Sequence, residues 1–274
     1  MLKVITLFTG IGAQEAALKR LGLDFEIVGI SEIDKYAIQS YEAINGSVRN
    51  YGDITQIERL DYADLWTYSF PCQDLSFAGK QRGISEETRS GLLLHVERLL
   101  TESVLYGTQP KYLLLENVKA LVSKKFMPDF QRWLDKLEQL GYNNYWQVLN
   151  AKDYGIPQNR ELTSSLQKLS YEATSEKEKL CYMWETDESF RVLRETLSEI
   201  QEIWKSINIK SQNKYRIRKL TARECWRLMA FTDIEFDCAK LSGVSDSQLY
   251  RQAGNSIVVD VLVGIFKGLF DDRP

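Results

Sequence analysis

The feature that most constrains the fold is the alternation of short apolar runs with segments of helical spacing over the first 150 residues. Strands joined in parallel need a crossover between them, and a helix usually supplies it. The order therefore predicts a doubly wound, mostly parallel α/β sheet with helices on both faces. We predict strands at 3–8, 25–33, 63–70, 111–115 and 144–150, and helices at 13–21, 35–44, 90–106, 126–140 and 256–270.

Composition narrows the class of protein. The chain has 274 residues, 44% of them hydrophobic, which is enough for one sizeable core. We expect neither a membrane span nor a signal peptide, because no apolar run is long enough and the N-terminus opens into a strand. Four cysteines without CxxC spacing and a single histidine favour a reducing cytoplasm and argue against a metal site. Because the net charge is -3, a surface that binds nucleic acid would have to be a local basic patch.

Polar residues follow the first predicted strands. Gly10 and Gly12 form a tight turn, Glu32 closes the second strand, and Asp53 closes the third unit. A helix N-terminus and an acidic residue about 20 positions later are typical of sheets that bind nucleosides, so the three together indicate an adenosine-type ligand. Taken singly, the glycines could be ordinary strand-to-helix geometry and the acids solvated loop residues. Neither GxGxxG nor GxxxxGK[ST] is present, which argues against hydride and phosphoryl transfer.

Two further strand ends carry reactive candidates. Pro71 ends the strand at 63–70, and Cys72 follows on the loop, where we predict a covalent nucleophile. Glu116 emerges from the apolar run 112–115, so burial should raise its pKa and suit it to proton donation. A cap for the next helix is the alternative for Glu116. As a pair, the thiolate would add to an electron-poor ring carbon while the acid neutralises charge on that ring.

These segments, in this order, resemble the motifs of the DNA (cytosine-5) methyltransferases. The similarity covers roughly residues 1–161 and 216–274, with Thr6 where an aspartate is common and Ala13 where a glycine is common. The matching stretches are 8–12, 31–34, 52–54, 70–73, 76–79, 89–93, 116–118, 154–161, 218–231 and 252–258.

The resemblance implies methyl transfer from S-adenosylmethionine to C5 of a cytosine in double-stranded DNA, leaving S-adenosylhomocysteine and needing no metal. The base would be flipped out and held through a covalent Cys72 adduct at C6. The implied catalytic residues are Cys72, Glu116, Asn117 and Arg160. The implied cofactor-binding residues are Phe8, Gly10, Ile11, Gly12, Glu32, Ile33, Asp53, Ile54, Pro71, Leu92, Asn255 and Ser256. The implied DNA contacts are Gln73, Ser76, Lys80 and Arg82.

The stretch between Glu161 and residue 216 departs from the family pattern, which places a β-rich, basic target recognition domain there. Leu162 stands where a second arginine is expected, and only about 55 residues occupy the gap. An apolar stripe at 190–207 predicts a helix, and residues 161–214 carry ten acids and eight bases. We therefore predict a catalytic domain at 1–161, a reduced helical insert at 162–215, and a segment at 216–274 that completes the catalytic domain. The gap is either a natural reduction or a deleted, replaced or missing segment.

Three functions remain open from the sequence. The first is a cytosine-5 DNA methyltransferase of the restriction-modification type, cytoplasmic and encoded by a bacterium, archaeon or phage. The second is a non-catalytic or partner-dependent binding protein that uses the stripe at 190–207 as an interface, although packing on its own domain is the favoured interpretation of that stripe. The third is an RNA cytosine-5 methyltransferase. The presence of both Cys72 and Glu116 favours catalysis.

Overall fold

A six-stranded sheet forms the centre of the protein, in the order β2-β1-β3-β4-β6-β5. The computed structural model describes residues 1–71, 89–169 and 218–270. β1 pairs in parallel with β2 and β3, and β3 with β4, whereas β6 runs antiparallel to both β4 and β5. The predicted α/β class is confirmed. The strands are β1 (Leu2–Leu7), β2 (Phe25–Ser31), β3 (Leu65–Tyr68), β4 (Tyr112–Val118), β5 (Tyr142–Asn150) and β6 (Glu161–Leu169).

Helices cover both faces of this sheet, as the alternating pattern predicts. Val4 points to a core shared with α1 and α8, whereas the next residue, Ile5, points to a core shared with α3 and α4. Alternate side chains of a strand face opposite sides of a sheet, so each buried strand serves two cores. The helices are α1 (Ala13–Arg20), α2 (Lys35–Asn45), α3 (Leu93–Leu105), α4 (Met127–Gln139), α5 (Ala222–Leu228), α6 (Asp233–Leu241), α7 (Asp246–Asn255) and α8 (Val259–Phe270).

The strand β6 differs from the sequence prediction. We expected the insert to begin at Leu162, whereas the sheet continues to Leu169, eight residues into the predicted insert. Hydrogen bonding to β4 on one side and β5 on the other holds β6 inside the sheet. Its buried residues include Thr163, Ser164, Ser165 and Gln167, and a strand this polar lacks the apolar alternation from which strands are predicted. The predicted stripe at 190–207 lies outside the described residues.

The C-terminal helices pack in the core that contains Val4 and α1. By length and composition alone the segment Asp246–Phe270 could cross a membrane. In the structure, however, residues 256–258 divide this segment into α7 and α8, and the predicted helix at 256–270 begins at Val259. The apolar side chains of α8, including Val261, Leu262 and Phe266, are buried against α1 and the sheet. Packing of α8 in the protein core therefore explains the apolar character of this segment.

Candidate active site

A cavity of about 470 Å³ opens at the carboxyl ends of the four parallel strands. Open α/β sheets bind ligands at this edge, because loops from several strands converge there. The volume lies within the range of small-molecule sites. The lining comprises Phe8, Thr9, Gly10, Ile11, Ala13, Gln14, Glu32, Ile33, Asp34, Ala37, Ser69, Phe70, Pro71, Glu116, Asn117, Val118, Arg160, Arg251, Gln252, Gly254, Asn255, Ser256 and Ile257.

The loop after β1 forms the floor of the cavity in a conformation that few residues adopt. Phe8 has a φ of 57° and Gly10 a φ of 61°. A side chain with φ above zero is uncommon, and such backbone outliers concentrate at functional sites. Gly12, with a φ of 87°, is not part of the lining. A Cβ there would lie 2.6 Å from Asn45 Nδ2, so this glycine allows the loop to pack on α2.

Glu32 joins the loop after β1 to the loop after β2. Its Oε2 accepts a hydrogen bond from the Gly10 amide at 2.8 Å, and its Oε1 accepts from the amides of Ile33 at 2.9 Å and Asp34 at 2.8 Å. Burial raises the pKa of this carboxyl, although these hydrogen bonds and the nearby Arg251 oppose the shift. Oε2 accepts one hydrogen bond in this set and retains the capacity for a second donor, such as a hydroxyl group.

One wall of the cavity combines an exposed apolar side chain with an unsatisfied polar one. Ile33 is 71% exposed, which is unusual for isoleucine and leaves an apolar surface for a flat ring. Gln14, on the first turn of α1, is only 2% exposed, yet its Oε1 has no hydrogen-bond partner among the described residues. A buried acceptor without a donor is costly, so a ligand that carries N–H groups would stabilise this position.

Glu116 lies at the end of β4 and is 8% exposed. Burial raises its pKa to about 7, against the opposing effects of the Arg160 guanidinium and of a hydrogen bond with Ser69. A carboxylic acid with a pKa near neutrality holds a proton that it can donate at physiological pH. The raised pKa predicted from the sequence for Glu116 thus agrees with the burial of its carboxyl group.

Asn117 and Arg160 fix the segments on either side of Glu116. Asn117 Nδ2 donates to the carbonyl oxygen of Phe70 at 3.0 Å, which ties the segment that leads into Cys72 to β4. Arg160 donates to the carbonyl oxygen of Ser256 at 2.8 Å and to that of Gly254 at 3.4 Å. The Arg160 guanidinium therefore lies between Glu116 and the C-terminal segment.

The C-terminal segment closes the remaining side. Asn255 and Ser256 line the cavity beside Arg251, which forms an ion pair with Asp34 at the start of α2. Gln252 Nε2 also donates to the carbonyl oxygen of Tyr36 at 2.8 Å. These contacts hold α7 against α2 across the mouth of the cavity.

The cavity gathers most of the predicted site residues but not all of them. Among the described residues, Asp53, Ile54 and Leu92 join Gly12 outside the lining. Asp53 is exposed and its Oδ1 accepts from the Thr55 amide at 2.9 Å, so it caps its own turn. Ile54 and Leu92 pack in the core formed with α3 and α4. The predicted Cys72, Gln73, Ser76, Lys80 and Arg82 lie outside the described residues.

Several lining residues were not predicted from the sequence. Gln14 carried no clear signal, because glutamine in the first turn of a helix is usually exposed. Arg251 and Ser69 carried none, since each reaches the cavity only when distant segments meet. Within residues 1–71, 89–169 and 218–270, no group of three or more metal-ligating side chains is found.

A ligand cavity at the strand ends of a doubly wound sheet, with a carboxylate after β2 and a buried acid at the end of β4, is typical of cofactor-dependent α/β enzymes. The family model described as C-5 cytosine-specific DNA methylase matches residues 2–164 and 162–271. The chain belongs to this family.

Individual relatives agree with the family match. The chain is 34% identical to the type II methyltransferase M2.ScrFI of Lactococcus lactis subsp. cremoris over 366 aligned positions, with both chains covered completely. It is 27% identical to the orphan methyltransferase M.SPBetaI of Bacillus phage SPbeta over 430 positions, covering 98% of this chain and 97% of the relative.

Solved structures show the same fold. The Dnmt2 methyltransferase of S. pombe superposes with a TM-score of 0.70 at 20% identity, covering 99% of each chain. A putative DNA modification methyltransferase encoded within an E. coli prophage gives a TM-score of 0.69 at 18% identity, again with 99% of each chain covered.

Proposed function

We propose that this chain is a DNA (cytosine-5) methyltransferase that transfers a methyl group from S-adenosylmethionine to C5 of a flipped-out cytosine. The observation that carries the proposal is the placement of Glu116, whose pKa is raised to about 7, beside the segment 69–71 that leads directly into Cys72. The family match supports the same reaction.

Each side chain has a defined task in this reaction. The Cys72 thiolate adds to C6 of cytosine, while Glu116 donates its proton to N3 and so removes the charge that builds on the ring. C5 thereby becomes nucleophilic and accepts the methyl group that S-adenosylmethionine supplies. The C5 proton is then lost to solvent, the Cys72 thiolate leaves C6, and the N3 proton returns to Glu116. Asn117 holds the backbone before the nucleophile, and Arg160 holds the acid and the C-terminal segment together.

The residues of the cavity fit S-adenosylmethionine. Its ribose hydroxyls suit the free acceptor capacity of Glu32, and its adenine ring suits the exposed surface of Ile33. Its ammonium group suits the unsatisfied Oε1 of Gln14. Phe8, Gly10, Ile11, Pro71, Asn255 and Ser256 are the other proposed cofactor contacts, to which family resemblance adds Gly12, Asp53, Ile54 and Leu92.

For DNA, we propose that Gln73, Ser76, Lys80 and Arg82 contact the flipped base and its flanking phosphates, and that the region that reads sequence is reduced. The alignment with the Lactococcus enzyme runs over 366 positions, whereas this chain has 274 residues. The family model also matches in two pieces that meet at residues 162–164, which is where the motif pattern stops. Both observations support a shortened insert, which we now place at 170–215.

The proposed organisation is a catalytic domain formed by 1–169 and 216–274, with the insert between them. The stripe at 190–207 is a candidate surface for a protein partner that would bring DNA to the site. The relatives come from bacteria and bacteriophages, which supports a cytoplasmic enzyme of a restriction-modification system.

Radiolabelled methyl transfer from S-adenosylmethionine tests the function, with unmethylated double-stranded DNA and structured RNA as substrates. We expect label in DNA, at cytosine C5 after hydrolysis, and loss of all label with Cys72→Ser. Label in RNA but not in DNA would favour the RNA methyltransferase instead. Cofactor binding without transfer to either nucleic acid would favour the non-catalytic binding protein.

A further inference from the structure

A second hydroxyl side chain lies next to Glu116 in the sheet. In the antiparallel pairing of β4 with β6, Glu116 is directly opposite Ser164. Side chains of directly opposed residues point to the same face, and their Cβ atoms are roughly 5 Å apart. Ser164 therefore lies beside Glu116 on the same face of the sheet.

The hydroxyl group of Ser164 is buried and makes no hydrogen bond with the described residues. The residue is 1% exposed, and its Oγ has no hydrogen-bond partner among the described residues. Leaving a buried hydroxyl without a partner costs free energy, so such a group in a folded protein calls for an explanation. The carboxyl group opposite can supply that partner, since a hydroxyl both donates and accepts.

The other side of Glu116 shows the same arrangement already formed. Ser69 follows Tyr68, which pairs with Leu115, and its hydroxyl hydrogen-bonds to the Glu116 carboxyl. Ser69 directly after β3, Glu116 on β4 and Ser164 on β6 thus form a row. The acid has a serine on each side.

We propose that Ser164 is a positioning residue for Glu116, with its hydroxyl donating to the ionised carboxylate and accepting from the protonated acid. This inference rests on the proposed function, in which Glu116 donates a proton to cytosine N3. A carboxyl held between two hydroxyls has fewer orientations available, and its ionised form is stabilised by donors on both sides.

Other groups also act on this acid. Among the described residues, the Arg160 guanidinium is the charge that opposes the raised pKa of Glu116. The remaining ionisable groups of the cavity wall are Glu32, Asp34 and Arg251. Lys119 and Glu161 form an ion pair beside the site, with 2.7 Å between Nζ and Oε1. A substitution at Ser164 leaves all of these in place.

The test compares Ser164→Ala with Ser165→Ala. Ser165 is equally buried on the same strand but faces the other side of the sheet, where its Oγ accepts from Gln167 Nε2. We expect Ser164→Ala to move the alkaline limb of single-turnover methyl transfer upward by about one pH unit, because the ionised Glu116 loses a donor. Ser165→Ala should keep the wild-type profile. An unchanged profile in Ser164→Ala, or an equal shift in both variants, would overturn the proposal.

A second readout does not depend on catalysis. Carbon-13 NMR of glutamate labelled at the side-chain carboxyl follows the titration of Glu116 directly, and Glu116→Gln identifies its signal. We expect the midpoint in Ser164→Ala to lie above that of the wild type, whereas an identical midpoint contradicts the inference. A wild-type chain that transfers no methyl group counts against the proposed function alone.

Discussion

At the residue scale, Glu116 shows how position creates reactivity. The carboxyl is 8% exposed at the end of an apolar strand, and burial is the largest cause of its raised pKa. The Arg160 guanidinium and the Ser69 hydroxyl limit that rise. The apolar run alone predicted the direction of the shift, but not the two opposing partners, because Ser69 follows β3 and Arg160 precedes β6, both distant from Glu116 in the chain.

The raised pKa of Glu116 makes a prediction about stability. The unfolded chain ionises this group near 4.5, whereas the folded chain keeps the proton until about pH 7. The folded state therefore binds more protons in this window, and stability falls as pH rises through it. We expect Glu116→Gln to gain roughly 2–3 kcal/mol relative to the wild type between pH 5 and pH 8. Urea unfolding of both proteins at the two pH values measures this, and an equal difference at both would contradict it.

Gln14 gives a prediction about cofactor binding. Replacing it with leucine removes the buried acceptor and introduces an apolar side chain of similar size. We expect affinity for S-adenosylhomocysteine to fall about tenfold, the effect of one lost hydrogen bond to a charged group. Isothermal titration calorimetry measures the affinity without turnover. Gln248→Leu, on α7 and outside the cavity lining, is the matched control and should bind normally.

At the element scale, α8 packs closely against the short turn that follows β5. Gly264 lies within this helix, where glycine is otherwise unfavourable. A Cβ at Gly264 would lie 2.4 Å from Cε1 of Tyr154, in the short turn that follows β5. Close approach of the helix to this ring explains the glycine.

Substitution of Gly264 therefore has a predictable cost. We expect Gly264→Ala to destabilise the protein by about 1–3 kcal/mol, because the Tyr154 ring has to move within a packed core. Gly254→Ala is the control, since no atom lies within 4 Å of a Cβ built there and alanine favours the helix. Thermal unfolding compares the two. A Gly264→Ala variant as stable as the control would show that Tyr154 relocates freely.

The elements also show where prediction from sequence succeeds. Strands β1 to β4 and helices α1 to α4 follow apolar periodicity, and the structure confirms each of them. β6 was missed because Thr163, Ser164 and Ser165 resemble a loop in composition, although pairing on both sides buries them. Asp53 lies outside the cavity lining, where its carboxylate caps a turn, and its role at the site stays a prediction. The spacing of apolar residues indicates which side chains are buried. The burial of a polar strand such as β6 instead depends on pairing with strands that the sequence pattern does not identify.

At the scale of the whole molecule, segments from both ends of the chain build one site. The loops after β1 and β2 meet α7 through Glu32, Asp34 and Arg251. Arg160 interacts with Glu116 of β4 and donates to Ser256, which follows α7. In the proposed function, Cys72 and Glu116 carry out methyl transfer, while residues 161–214 are acidic on balance and poorly suited to phosphate contacts. We expect activity with little preference among DNA sequences.

The most direct test of the account is covalent trapping with DNA that contains 5-fluorocytosine. Fluorine at C5 cannot leave as a proton does, so a methylated adduct cannot release the enzyme. We predict a stable complex that needs S-adenosylmethionine, with peptide mass spectrometry locating the bond at Cys72. Cys225→Ser, a change on α5 outside the cavity lining, should trap normally, and Cys72→Ser should not. Methyl transfer without an adduct, or an adduct on another residue, would contradict the account.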